Sequence, residues 1–189
     1  MSFNPADVLS RLRALQDKAT GPARYVLAFS GGLDSTALLY ALAATQKQHG
    51  VPLLAVHVDH QLHEESGAWA GHCASVAAEY GVPFASRQVE VATGAGPEAA
   101  ARDARYAALR ACINTDDWLL CAHHADDQGE TLLLNLLRGS GPAGLAAMQP
   151  VRRFGAGWQV RPLLDTQRAT LRSFAERQGL AWLEDPSNE

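Results

Sequence analysis

Residues 25–29 (Tyr-Val-Leu-Ala-Phe) form an unbroken apolar run that passes directly into Ser30-Gly31-Gly32-Leu33-Asp34-Ser35. So short a run, without a polar residue for either face, fits a strand buried on both sides. The two glycines permit a sharp backbone turn after it. Beyond them Ala37, Leu38, Leu39, Ala41 and Leu42 keep helical spacing as far as His49-Gly50. A strand, a glycine turn and a helix in this order commit the chain to a covered, largely parallel sheet.

The alternation recurs. Residues 53–58, 84–91 and 118–122 read as strands, and 66–80, 98–113 and about 126–138 as helices, the last stopped by Gly139-Ser140-Gly141-Pro142. Ahead of them, Asn4 or Asp7 caps a first helix that runs to about Lys18 and is broken by Gly21-Pro22. After Pro142 come short strands near Val151 and Val160, divided by Gly155-Ala156-Gly157, and a helix over 166–178. The expected fold is α/β: a doubly wound, mostly parallel sheet with helices on both faces, right-handed crossovers and a small C-terminal appendage. The division falls into residues 1–148 and 149–189.

With 189 residues the chain suits one compact domain, and 47% apolar with 19% charged residues is ordinary for a soluble protein. The apolar stretch at 132–137 is too short to cross a bilayer, and residues 1–13, with Pro5 and Asp7, lack the pattern of a secretory signal. No membrane is expected, and the cytoplasm is the expected location. Cys73, Cys112 and Cys121 are odd in number and far apart, which argues for buried small hydrophobes over disulfides or structural zinc. A net charge of -4 excludes a general nucleic-acid coat, so any RNA must meet local patches or a part outside this chain.

The hexamer at 30–35 carries chemistry as well as a turn. Free N–H groups and the positive end of the dipole at the helix start suit phosphate, with the hydroxyls of Ser30, Ser35 and Thr36 nearby. Asp34 suits an anion only with a magnesium ion between them. A plain helix cap by Asp34 and Ser35 is the simpler reading, and the position at the carboxyl end of a buried strand favours a ligand site over it. No lysine follows the glycines, so this is not a loop of the G-x-x-x-x-G-K-[ST] type.

A second element, Cys121-Ala122-His123-His124-Ala125-Asp126-Asp127-Gln128-Gly129-Glu130-Thr131, also lies where a strand passes into a helix. Asp127 and Glu130, three apart, and Asp126 and Glu130, four apart, cluster carboxylates near the helix start. Such a cluster suits magnesium or an amine. The simpler alternative is a capping box with Asp127 as the cap and Glu130 reaching back.

The hexamer resembles the pyrophosphate loop of the PP-loop ATPases, which cleave ATP between its α- and β-phosphates and adenylate a substrate oxygen. Residues 123–148, with Arg138-Gly139-Ser140-Gly141 and Gly144-Leu145, resemble the signature of the tRNA isoleucine lysidine synthases within that group. Residues 98–109, Val58-Asp59-His60, Arg161-Pro162-Leu163-Leu164 and Asp185-Pro186-Ser187-Asn188 resemble further blocks of that family.

The resemblance implies ATP and Mg2+ as cofactors, and free lysine and an isoleucine tRNA with a cytidine wobble base as partners. It makes 1–148 the ATP-binding catalytic domain and 149–189 the start of a link to tRNA-binding domains. By resemblance, Ser30, Gly31, Gly32, Leu33, Asp34 and Ser35 hold pyrophosphate, and Asp34 and Asp127 bind magnesium. Arg102 and Arg105 meet phosphate or the flipped cytidine, Asp127 and Glu130 steer the lysine ammonium, and His123 or His124 relays its proton. The oligomeric state stays open, a homodimer being one option.

Gly129 stands where that family usually has alanine. His57, His60, His63 and His72 read as packing or surface, with His60 alone kept as a weak site candidate. The four tryptophans read as packing. Three other readings remain: a tRNA thiolase, which wants a lysine in the loop and paired cysteines, a two-metal phosphoesterase built on His123, His124, Asp126, Asp127, Asp59 and His60, and a binding module without catalysis, against which the carboxylates count.

Overall fold

The computed structural model describes residues 3–60, 66–89, 97–139 and 147–184. The first helix, α1 (Pro5–Leu15), is capped by Asn4: its side chain accepts from the Asp7 amide, and the Asp7 carboxylate accepts from the Asn4 amide. A single 3-10 turn, Gln16–Lys18, follows. The chain then enters β1 (Tyr25–Ala28), α2 (Leu33–Ala44), the short α3 (Gln46–His49), β2 (Leu53–Asp59) and α4 (Ser66–Glu79). Next are β3 (Phe84–Gln88), α5 (Pro97–Ala111), β4 (Trp118–Leu120) and α6 (Ala125–Leu137). The last elements are β5 (Val151–Phe154), β6 (Gly157–Val160) and α7 (Arg168–Gln178).

The strands form one sheet in the order β3-β2-β1-β4-β6-β5, parallel throughout except for β5, which runs antiparallel to β6. The C-terminal segment therefore adds to the sheet edge, with Trp118, Leu119 and Leu120 of β4 in register with Trp158, Gln159 and Val160 of β6. Gly157 makes that approach possible, because a Cβ there would lie 2.2 Å from the Asp117 carbonyl oxygen.

β1 is buried on both faces, and its alternation sorts its side chains between two cores. Tyr25 and Leu27 join Leu12, Leu38, Leu42, Leu171 and Phe174 on one side of the sheet. Val26 joins Val56, Leu109, Ile113, Leu119 and Phe154 on the other. Each large side chain so buried stabilises the fold by roughly 1.5–3 kcal/mol. Most expected elements shift by a residue or two at their ends. The third strand stops at Gln88, and 90–91 lie outside the described residues. The fourth stops at Leu120, so that residues 121–124 form the approach to the site. Among the described residues, no helix is long and apolar enough to cross a membrane.

Candidate active site

β1 lies between β2 and β4, the place in an open parallel sheet where loops part to opposite sides and leave a crevice at the carboxyl ends. Gly31 turns the chain there with a φ of 82°, and a Cβ on it would lie 2.7 Å from Cys73 Sγ. Ser30 Oγ accepts from the Gly32 amide and lies 3.0 Å from Ser35 Oγ, which donates to the Gly32 carbonyl. Thr36 donates its hydroxyl to the Gly31 carbonyl and is fully buried, so this hydroxyl holds the turn's shape. The first helical amide bond runs from Thr36 to Gly32, and Gly32 offers no side-chain cap. The amides of Leu33, Asp34 and Ser35 therefore precede any intrahelical partner, at the positive end of the α2 dipole.

Across the crevice, α6 starts in a capping box one turn earlier than the sequence suggests. His124 is the cap: its Nδ1 accepts from the Asp127 amide at 3.4 Å, and Asp127 Oδ2 accepts from the His124 amide at 2.7 Å. The other ring nitrogen, Nε2, lies 3.5 Å from Asp34 Oδ2, which ties the two helix starts together. Asp126 accepts from the Arg168 amide at 2.8 Å and so anchors α7. That bond is the main reason the Asp126 carboxyl titrates below its ordinary value.

The adjacent histidines have opposite electrostatics. Burial lowers the His123 pKa to about 4, with the Arg161, Arg102 and Arg105 charges in support. Burial works against the charged form of His124 too, but the hydrogen bond to Asp34 and the charges of Asp127, Asp34 and Asp126 outweigh it and raise its pKa.

The two elements enclose a cavity of about 260 Å³. Ser30, Gly32, Leu33, Asp34 and Ser35 line it from the loop, and Gly31 is buried behind them. His123, Asp127 and Arg105 line it from the opposite wall. Arg102 is exposed, its guanidinium 5.7 Å from the Tyr106 ring centroid, and Glu130 is exposed on α6; neither lines the cavity. His57 is buried and bonded to the Phe29 carbonyl, while the half-buried His60 has its pKa lowered by burial. His63 lies outside the described residues.

Trp69, Arg168, Leu183 and Glu184 are among the lining residues that sequence reasoning missed. Trp69 is not simply packing. Leu183 donates its amide to the Gly31 carbonyl at 2.9 Å and bridges to Gly32, so a residue far along the chain closes over the turn. Its place next to the Asp185-Pro186-Ser187-Asn188 block is the signal that pointed there.

For a divalent cation, one observation is favourable. Among the described residues, Asp34 Oδ1 is buried without a hydrogen-bond partner, a costly state for a carboxylate oxygen unless a cation meets it. Magnesium takes one or two carboxylates together with phosphate oxygens, and Asp34 at a phosphate-type turn fits that donor set. Asp127 keeps one oxygen in the helix cap, which leaves the other for such a role. Among the described residues, no three His, Cys, Asp or Glu side chains cluster as a metal site of their own. The ligands of a two-metal phosphoesterase are thus not assembled there.

The relatives give the same reading of the chain. A tRNA(Ile)-lysidine synthase of Xanthomonas campestris is 51% identical over 172 residues, 90% of this chain and 40% of that protein. One from Pseudomonas fluorescens is 48% identical, over 97% of this chain and 42% of that protein. The chain thus spans about two fifths of the length of these curated relatives. Among solved structures, a U34-tRNA thiolase from Methanococcus maripaludis with its [4Fe-4S] cluster shares the fold, with a TM-score of 0.73 and 17% identity over 96% of this chain and 67% of that one. An NMN synthetase from Francisella tularensis shares it with a TM-score of 0.60 and 12% identity, over 99% of this chain and 74% of that one. A model described as a PP-loop domain matches residues 6–189, which take in both walls of the cavity, and the chain belongs to the PP-loop domain family.

Proposed function

We propose that this chain is the catalytic part of a tRNA(Ile)-lysidine synthase, joining the side-chain amine of lysine to the wobble cytidine of an isoleucine tRNA at the expense of ATP. The observation that carries the reading is the facing of two walls across one cavity: the glycine turn at 30–35, with its helix-start amides, and the basic and acidic groups of 123–127. Identity near 50% to curated synthases supports the choice of substrate.

The chemistry needs two displacements. The carbonyl oxygen of the base attacks the ATP α-phosphorus and pyrophosphate leaves; the lysine amine then attacks the activated ring carbon, and AMP leaves with that oxygen. The amides of residues 33–35 hold the departing pyrophosphate, and Arg105 balances phosphate charge or holds the base. Mg2+ bound at Asp34, with Asp127 as a second ligand, would neutralise phosphate charge. Arg102 and Glu130, set back from the cavity, would meet tRNA or lysine approaching its rim. The amine must shed a proton to attack, and the His124, Asp34 and Asp127 group is the basic part of the site.

The test is transfer of labelled lysine to an isoleucine tRNA with a cytidine wobble base, with ATP and Mg2+, following AMP and pyrophosphate. Stoichiometric lysine transfer and AMP release are expected from a chain extended to the relatives' length. Silence from that longer chain would reject lysidine synthesis. Activity of the 189-residue chain alone would show that tRNA grip needs nothing more.

A further inference from the structure

Arg161, on the residue after β6, is 4% exposed, and its guanidinium directs three nitrogens at neutral acceptors. Nη1 donates to the Gln149 carbonyl at 2.7 Å, Nη2 to Gln159 Oε1 at 2.9 Å, and Nε to His123 Nδ1 at 3.3 Å. A guanidinium has donors and no acceptors, so the nitrogen it meets on His123 must accept. We infer that Arg161 is a positioning residue that fixes the His123 ring with Nδ1 as acceptor and the hydrogen on Nε2, so that His123 serves the cavity as a hydrogen-bond donor instead of a proton acceptor.

The guanidinium is itself held in one orientation. Gln159 is fully buried; its Oε1 also accepts from Arg152 Nε at 2.5 Å, while its amide nitrogen donates to Cys121 Sγ at 3.1 Å and Tyr106 Oη at 3.4 Å. Turning that amide over would set its N–H group against two guanidinium donors, so Gln159 has one orientation and Arg161 inherits it. The planar fork of the guanidinium then transmits that geometry to the ring. The network runs from β5 through β6 to the end of β4 and to Tyr106, which follows Arg105 on α5.

The consequence is a choice between the two histidines. The other ring nitrogen of His123, which meets no partner among the described residues, carries a hydrogen. Arg105 beside it on the cavity wall is likewise a donor. This part of the wall therefore recognises an acceptor, either a phosphate oxygen or a base carbonyl or ring nitrogen. It has no lone pair to offer an ammonium group, which leaves proton removal to the group of His124, Asp34 and Asp127. The inference concerns this chain's own hydrogen bonds and stands whether or not lysine is the amine transferred.

The experiment is nitrogen-15 NMR of the histidine side chains in the full 189-residue chain, with the His123 signals identified by their loss in His123→Gln. Expected is a single neutral form with hydrogen on Nε2 and an Nδ1 shift marking an accepted hydrogen bond. In Arg161→Met that shift should revert toward a free nitrogen, and the midpoint of His123 protonation should rise by about one unit, a tenfold gain in proton affinity. Hydrogen on Nδ1 in the unaltered chain, or a His123 unchanged in Arg161→Met, would overturn the assignment. Should the variant fail to fold, the tautomer of the unaltered chain decides alone. Loss of lysine transfer in the assay above would sink the proposed reaction without moving these signals, and the reverse holds equally.

Discussion

Asp34 Oδ2 lies 3.5 Å from His124 Nε2, while the other oxygen of the same carboxylate is buried without a partner among the described residues. One oxygen thus joins the starts of α2 and α6, and the other is left for a ligand. Asp34→Asn keeps the shape and removes the charge. Expected is a folded protein whose Mg2+-dependent ATP turnover falls on the order of a hundredfold, measured as AMP release over a magnesium titration. Unchanged turnover with an unchanged magnesium requirement would remove Asp34 from the metal site.

Gly31 combines a φ of 82° with a space that a Cβ would overfill, 2.7 Å from Cys73 Sγ and 3.3 Å from Leu183 Cδ1. Gly31→Ala should therefore destabilise the fold by about 1–3 kcal/mol in urea denaturation and weaken ATP binding in calorimetry. Adding Cys73→Ala relieves the contact but not the dihedral strain, so it should restore only part of the loss. Full restoration would mean that contact alone matters.

The lowered pKa of His123 ties stability to acidity. Between about pH 4 and 6.5 the unfolded chain binds a proton there that the folded chain refuses, so this contribution is whole above 6.5 and is lost as the pH falls toward 4. Its size is on the order of 2 kcal/mol, given that the ring is partly open to the cavity. Urea midpoints for the unaltered chain and for His123→Gln, taken from pH 7 to pH 4.5, should converge as the pH drops. Parallel curves would show that His123 titrates normally.

Gly129 is exposed within α6, and a Cβ on it would meet no atom within 4 Å. Gly129→Ala should raise stability by about 0.5–1 kcal/mol, through a smaller loss of backbone freedom on folding, and leave ATP turnover unchanged. A fall in turnover would mean that flexibility at this turn of α6 has a catalytic use.

The alternation of apolar runs with glycine turns made the sheet and the 30–35 turn legible, because burial on both faces leaves a strand no polar position and the turn needs glycine. The place of Asp127 and His123 at a strand's end was legible, and both line the cavity. The direction of the cap was not: histidine is an uncommon cap, and only the fold shows His124 accepting from the Asp127 amide. Trp69 and Arg168 carry no local motif and Leu183 only adjoins the 185–188 block; all three reach the cavity through long-range packing that no spacing encodes. The partnership of Arg161 with His123 is likewise a contact between β6 and the end of β4, invisible until the strands pair.

Leu183 has a temporal meaning as well as a spatial one. Its amide meets the Gly31 carbonyl, so the turn is written early in the chain and finished by a residue near position 183. A growing chain cannot make that bond until Leu183, which follows α7, has been synthesised, long after the strand and turn it meets. All six strands therefore precede, in the order of synthesis, the residue that closes over the turn.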